Sequence, residues 1–223
     1  MARLVFDLDG TLIDSNPTLT ATGNALLAEL DRPPVAAETA ASFVGHGVAV
    51  LVERLLRHSG GLPAGGLEPQ VARFRALYAL DPIAGTTVYP GVTEALAALA
   101  AAGHGLGVCT QKPNAPALTL LRGLGLMPPV TGFTGGDSLP VLKPDPRMLL
   151  HAADQLDPGP VVMIGDSETD AETARNAGVP FLLHTEGYRL TPLAAIPHAA
   201  AFADFAELPG LVAGLIADLP APA

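Results

Sequence analysis

Residues 3–11 run Arg-Leu-Val-Phe-Asp-Leu-Asp-Gly-Thr, an apolar stretch that ends in two carboxylates one residue apart and then a Gly-Thr turn signal. A short apolar run bounded in this way reads as a buried strand. Side chains two positions apart lie on one side of an extended chain, so Asp7 and Asp9 share a side at the strand's C-terminal end. In open α/β sheets that end borders the crevice where ligands bind. Two anions this close repel each other, and a divalent cation or a shared proton removes the cost.

The rest of the chain repeats the strand–turn–helix arrangement. Strands are predicted over Arg3–Asp7, Gly105–Thr110, Pro160–Gly165 and Val179–His184. Helices are predicted over Val92–Ala102, stopped by Gly103, and near Glu168–Ala177, stopped by Gly178. This alternation implies an α/β fold, a parallel sheet with helices on both faces. Between Asp14 and about Pro82 the alternation breaks, over a gap several times the dozen or so residues a crossover needs. That stretch reads as helical over Pro17–Leu30, Ala36–Val44, Val48–His58 and Leu67–Leu80, with loops at Pro33-Pro34 and at the Gly-rich residues 60–66. We therefore expect an inserted helical domain over residues 15–82, hinged near Asp14–Asn16 and Asp81–Gly85, and an α/β core from residues 1–14 and 83–223. The Pro/Ala-rich end, Leu219–Ala223, reads as a frayed tail.

Charge and composition narrow the function classes. With 223 residues, 49% of them apolar, the chain can bury a sizeable core. Its net charge of −10 and its pI of about 4.8, with no basic stripe, make nucleic acid and anionic membrane poor partners. The single cysteine excludes an internal disulfide and fits a reducing cytoplasm. The N-terminus reaches charge too early for a signal peptide, and no apolar stretch is long enough to span a bilayer, so a cytoplasmic protein is expected. Of the 12 basic residues only Lys112 and Lys143 are lysine. A crowded anion site takes a compact ammonium more readily than a broad guanidinium.

Four polar clusters stand out, most of them directly after predicted strands. They are Asp7-Leu8-Asp9-Gly10-Thr11, Thr110-Gln111-Lys112, Lys143-Pro144-Asp145-Pro146, and Gly165-Asp166-Ser167-Glu168-Thr169-Asp170. In a parallel sheet these strand ends gather along one edge. Together they supply carboxylates, a hydroxyl and a lysine: a nucleophile, a metal cage and donors for phosphate oxygens.

In this order the clusters resemble the haloacid dehalogenase (HAD) superfamily of aspartate-based phosphohydrolases. The resemblance implies a Rossmann-like three-layer core with an inserted helical cap. Phe43-Val44-Gly45-His46-Gly47-Val48, Gly135-Gly136-Asp137 and Glu186-Gly187-Tyr188 are similar to stretches of bacterial phosphoglycolate phosphatases. It further implies that Asp7 attacks phosphorus, that Asp9 serves as acid and then base, and that Thr110 and Lys143 bind the transferring phosphoryl oxygens. Mg²⁺ would be held by the Asp7 carboxylate, the Asp9 backbone carbonyl and Asp166, with Asp170 in support. Gly10, Thr11 and Gln111 would line the substrate, joined from the cap by His46, Arg54 and Arg57. Gln111 stands where the family often has Asn, and Arg189-Leu190-Thr191-Pro192 departs from a Gly-rich continuation.

The expected activity is a Mg²⁺-dependent phosphomonoesterase acting on a small phosphorylated metabolite, 2-phosphoglycolate first, in a monomer or homodimer. A sugar phosphatase or hexose phosphomutase is the enzymatic alternative. A phospho-receiver signalling module is the alternative of another class, but it is shorter, has no cap, and carries its acceptor on a later strand. Cys109, inside an apolar strand, is expected to be a buried small hydrophobe. Gly103-His104-Gly105-Leu106-Gly107 precedes a strand instead of following one, which argues against a dinucleotide loop.

Overall fold

The computed structural model describes residues 1–217 of the chain, so the expected frayed tail at Leu219–Ala223 lies outside the described residues. In chain order the elements begin with β1 (Arg3–Phe6), β2 (Ile13–Asp14), α1 (Asn16–Glu29), α2 (Ala37–Ala41), α3 (Val48–His58) and α4 (Glu68–Tyr78). The chain then forms β3 (Thr87–Val88), α5 (Val92–Ala101), β4 (Gly105–Cys109), α6 (Asn114–Gly123), β5 (Gly132–Thr134) and α7 (Pro146–Ala153). It closes with β6 (Val161–Gly165), α8 (Glu168–Ala177), β7 (Phe181–His184), β8 (Ala200–Phe202) and α9 (Leu208–Ala217).

Six strands form one sheet in the order β5-β4-β1-β6-β7-β8, and every pairing in it is parallel. Numbered within the sheet this is the 3-2-1-4-5-6 order of the Rossmann fold, so the expected architecture is observed. The opening run is buried on both faces because the central strand has helices on each side. Leu4 and Phe6 pack with Val92, Leu96 and Leu120 on one face, while Val5 packs with Met148, Leu149 and Met163 on the other. A strand buried on both faces reads as a continuous apolar run, which is what Leu4–Phe6 supplies.

Helices α1 to α4 enclose a hydrophobic cluster of their own, built on Leu26, Leu27, Val52, Leu55, Leu56 and Phe74. The chain leaves the sheet through β2 and returns through β3, and these two-residue strands pair antiparallel. The hydroxyls of Thr18 and Thr86 meet 2.8 Å apart beside this crossing. Sequence reading missed the β2–β3 ribbon and the three-residue edge strands β5 and β8, which are too short to show a period. It also overextended α2, expected to reach Val44. The helix ends at Ala41, where the Ser42 hydroxyl donates to the Thr39 carbonyl, and Gly45 and Gly47 then take positive φ.

Candidate active site

β1 lies between β4 and β6, so three of the four polar clusters leave adjacent strands at their C-terminal ends. The fourth, around Lys143, sits ahead of α7, where the Asp145 carboxylate caps the helix by accepting from the Arg147 N–H. Asp7, Asp166 and Asp170 are buried, and each offers an oxygen within 4.8 Å of the others'. Lys143, its side chain 2% exposed, places Nζ 2.8 Å from Asp7 Oδ1 and 2.7 Å from Asp170 Oδ1.

Each carboxylate is held by its own set of donors. Asp166 Oδ1 accepts from the Thr11 hydroxyl at 2.8 Å, and Oδ2 accepts from the Tyr188 N–H at 2.7 Å. Asp170 Oδ2 accepts from the Asp166 N–H and from the N–H and hydroxyl of Ser167, closing a capping box at the start of α8. Gly10, at φ +89°, and Gly187 border Asp166 so closely that a Cβ at either would overlap its carboxylate. His184, buried among Tyr89, Phe202 and Phe205, meets the Gly10 carbonyl through Nδ1 at 3.0 Å. A carbonyl only accepts, so Nδ1 carries the proton, and burial holds the ring's pKa below the ordinary value.

The electrostatics call for a cation. Three buried carboxylates face one ammonium, which leaves two negative charges uncompensated when all are ionised. Burial, against the pull of Lys143 and with the added push of Asp170, raises the Asp7 pKa from 3.8 to about 7. Burial with repulsion from Asp170 and Asp7 raises the Asp166 pKa well above its ordinary value. Burial alone would lower Lys143, but Asp170 and Asp7 outweigh it and hold the ammonium protonated. A compact set of hard oxygen donors with excess negative charge fits a divalent cation such as Mg²⁺. Between the unfolded pKa of 3.8 and about 7, the metal-free native state binds a proton at Asp7 that the unfolded chain has released. This contribution to stability is present below the unfolded value and is lost as pH rises through the folded one. The rise in melting temperature on adding MgCl₂ should therefore be small near about pH 5 and grow toward about pH 8, as the ion takes the proton's place. Scanning fluorimetry with EDTA or MgCl₂ checks this, and a pH-independent increment would contradict it.

Asp9 stands apart from this nest. Its Oδ1 accepts from Lys112 Nζ at 2.7 Å and from the hydroxyl of Ser15, just before α1. The two lysines are thus divided, Lys143 on Asp7 and Lys112 on Asp9. Sequence reasoning noticed Lys112 through the scarcity of lysine and as the end of the Thr110-Gln111-Lys112 cluster, but gave it no role at Asp9. It missed Ser15 altogether and had Tyr188 only as part of a similar stretch. The Tyr188 phenol donates to Asp14 Oδ1 at 2.6 Å and accepts from the N–H groups of Ser15 and Asn16.

Some expected site residues are used differently. The Thr11 side chain is fully buried with its hydroxyl on Asp166, so it orients that carboxylate. Thr110 is 1% exposed, and its hydroxyl accepts from the Lys112 N–H at 3.1 Å. The Gln111 amide donates to the Gly45 carbonyl at 2.6 Å, a core-to-insertion contact that the extra methylene allows. His46 is exposed, and the Arg54 guanidinium donates to the Ser42 carbonyl within the insertion. Arg57 pairs with Glu53 on the surface. Among the described residues, none of these three has a hydrogen bond or ion pair to the acidic group: Arg54 and Arg57 are engaged within the insertion, and His46 is exposed. Cys109 is buried as expected, and burial pushes its thiol up to about 12, out of use as a nucleophile.

Comparison with known proteins agrees with this arrangement. Residues 1–178 match the haloacid dehalogenase-like hydrolase family. The phosphoglycolate phosphatase of Rhodobacter capsulatus is 45% identical over 212 residues, covering 95% of this chain and 96% of that protein. The phosphoglycolate phosphatase of Rhodospirillum rubrum is 44% identical over 212 residues, covering 92% and 88%. The crystal structure of a predicted phosphoglycolate phosphatase from Haemophilus somnus superposes with a TM-score of 0.87 at 29% identity, covering 94% of this chain and 97% of that one.

Proposed function

This chain belongs to the haloacid dehalogenase-like hydrolase family and is a phosphoric monoester hydrolase, and we propose that it hydrolyses 2-phosphoglycolate through an aspartyl-phosphate on Asp7. The observation that carries the reading is the buried nest of Asp7, Asp166, Asp170 and Lys143 at the C-terminal edge of the central strands. Relatives named for this substrate, across nearly their whole length, support it.

In the first step an Asp7 oxygen bonds to phosphorus as the ester P–O bond breaks, and Asp9 delivers a proton to the departing glycolate oxygen. In the second step a water oxygen bonds to phosphorus, the Asp7–phosphorus link breaks, and Asp9 takes a proton from that water. Lys143 and Thr110 stabilise the phosphoryl oxygens, and Asp170 holds Lys143 in place through the 2.7 Å contact. Mg²⁺, held by Asp7, Asp166 and the Asp9 backbone carbonyl with Asp170 in support, would neutralise phosphoryl charge. Residues 15–82 act as a cap over a core formed by residues 1–14 and 83–223, and closure excludes water from the reacting centre. No described helix is long and apolar enough to cross a membrane, and we place the enzyme in the cytoplasm.

Phosphate release from a panel of small phosphate esters and sugar phosphates, with and without Mg²⁺, tests the substrate. A rank for 2-phosphoglycolate below the sugar phosphates would overturn it. Asp9→Asn tests the proton shuttle. On 2-phosphoglycolate, whose alkoxide leaves poorly, turnover should fall at least ~100-fold. With p-nitrophenyl phosphate, whose phenolate needs no proton, one equivalent of nitrophenol should appear as a burst before the stalled second step. Equal losses on both substrates without a burst would remove Asp9 from this role.

A further inference from the structure

Where α4 ends, the insertion meets the core at a pair of side chains that the two chemical steps do not use. Tyr78 is 7% exposed, and its Oη has no hydrogen-bond partner among the described residues. A buried hydroxyl with nowhere to donate is costly, and native structures rarely keep one without a reason. Its neighbour is Lys112, whose Nζ lies 5.1 Å from the Tyr78 ring centroid and 2.7 Å from Asp9 Oδ1. An ammonium has three N–H groups and accepts nothing. Lys112 commits one N–H to Asp9 and cannot take the phenol's proton. The phenol O–H has no acceptor, and with one N–H on Asp9 the ammonium still has N–H groups that can donate, so both can serve one anionic oxygen. Burial, opposed by Lys112 and aided by Asp9, keeps the phenol above its ordinary pKa, so it stays a donor. Burial acts against the Lys112 charge, but Asp9 and Tyr78 outweigh it, so that charge persists.

The position of the pair says which anion it takes. Lys143 stands on Asp7, the group that bonds to phosphorus, while Lys112 stands on Asp9, the group that protonates the leaving oxygen. A second anionic group on the leaving fragment, one carbon from that oxygen, arrives beside Asp9. His46 is exposed, and the Arg54 guanidinium donates to the Ser42 carbonyl. We propose that Tyr78 of the insertion and Lys112 of the core form a carboxylate subsite that selects phosphate esters whose leaving group carries an acid. The subsite rests on the 2-phosphoglycolate reading and assigns its specificity to the seam between insertion and core.

The test compares kcat/KM for 2-phosphoglycolate with that for ethyl phosphate, which lacks the acid, in the wild type and in Tyr78→Phe. The ring of the variant keeps its stacking on Phe74, and the lost hydroxyl has no partner, so the melting temperature should not fall. The ratio of the two kcat/KM values should drop about tenfold, through KM more than kcat, as expected for one charge-assisted hydrogen bond. A ratio unchanged by Tyr78→Phe would overturn the subsite. If the wild type itself shows no preference for 2-phosphoglycolate, the substrate reading fails separately. Inhibition by glycolate then decides: weaker inhibition of Tyr78→Phe supports the subsite, and equal inhibition overturns it.

Discussion

Asp7→Asn should abolish steady-state phosphate release, with a loss of at least ~10⁴-fold, because the amide cannot form the covalent link that divides the reaction into two steps. The same substitution should leave the fold intact. Asp7 is one of three buried carboxylates that repel each other, and burial with this repulsion raises its pKa to about 7. Lys143 keeps Asp170 as a partner at 2.7 Å when the Asp7 charge is gone. The melting temperature of metal-free Asp7→Asn near about pH 8 should thus equal or exceed that of the wild type. Phosphate release, circular dichroism and a thermal scan check both halves. Retention of near-normal turnover would remove Asp7 as nucleophile, and loss of the fold would mean that its carboxylate holds structure the hydrogen bonds do not show.

Lys143→Met should have the largest effect on stability. The ammonium is the only side-chain cation that touches the acidic nest among the described residues, and it contacts two of its members. Its removal leaves Asp7, Asp166 and Asp170 buried together without a counter-charge, a situation that costs about 3–5 kcal/mol when one partner of a buried pair is lost. The penalty has a characteristic pH dependence. As pH falls from about 8 to about 5 the nest takes up protons, and the gap between variant and wild type should narrow. Mg²⁺ should narrow it as well, since the ion restores part of the missing positive charge. Denaturant titrations at the two pH values, with and without MgCl₂, read all of this. A variant as stable as wild type near pH 8 would show that the three carboxylates do not depend on Lys143. Activity should be lost under every condition, because the phosphoryl oxygens lose their fixed charge.

Much of the core was legible because its signals are local. Leu4–Phe6, Leu106–Cys109 and Val162–Ile164 are apolar runs that only a strand buried on both faces can use. Gly103 and Gly178 stop helices where left-handed backbone is needed, and both take positive φ. The edge strands β5 and β8 were illegible because three residues carry no period. Nothing near Thr11 in the sequence foretold that its hydroxyl would meet Asp166, 155 positions later in the chain. Tyr78 lies in the stretch Leu67–Leu80 that reads as helical, and the sequence singles it out for no role. Nothing in its neighbourhood along the chain foretold that it would meet Lys112.

The order of residues alone determined that this chain builds a parallel α/β sheet with a helical insertion after its first strand, and that carboxylates sit at strand ends. Those features follow from hydrophobic period, turn residues and spacing, all of which act over a few positions. Only the tertiary structure decided that Lys143 answers Asp7 and Asp170, that Lys112 answers Asp9 across 103 positions, and that Tyr188 reaches back 174 positions to Asp14 at the end of β2. Ion pairing depends on which strand ends become neighbours, and that is set by sheet order and by how the insertion folds back, quantities no local stretch of sequence encodes.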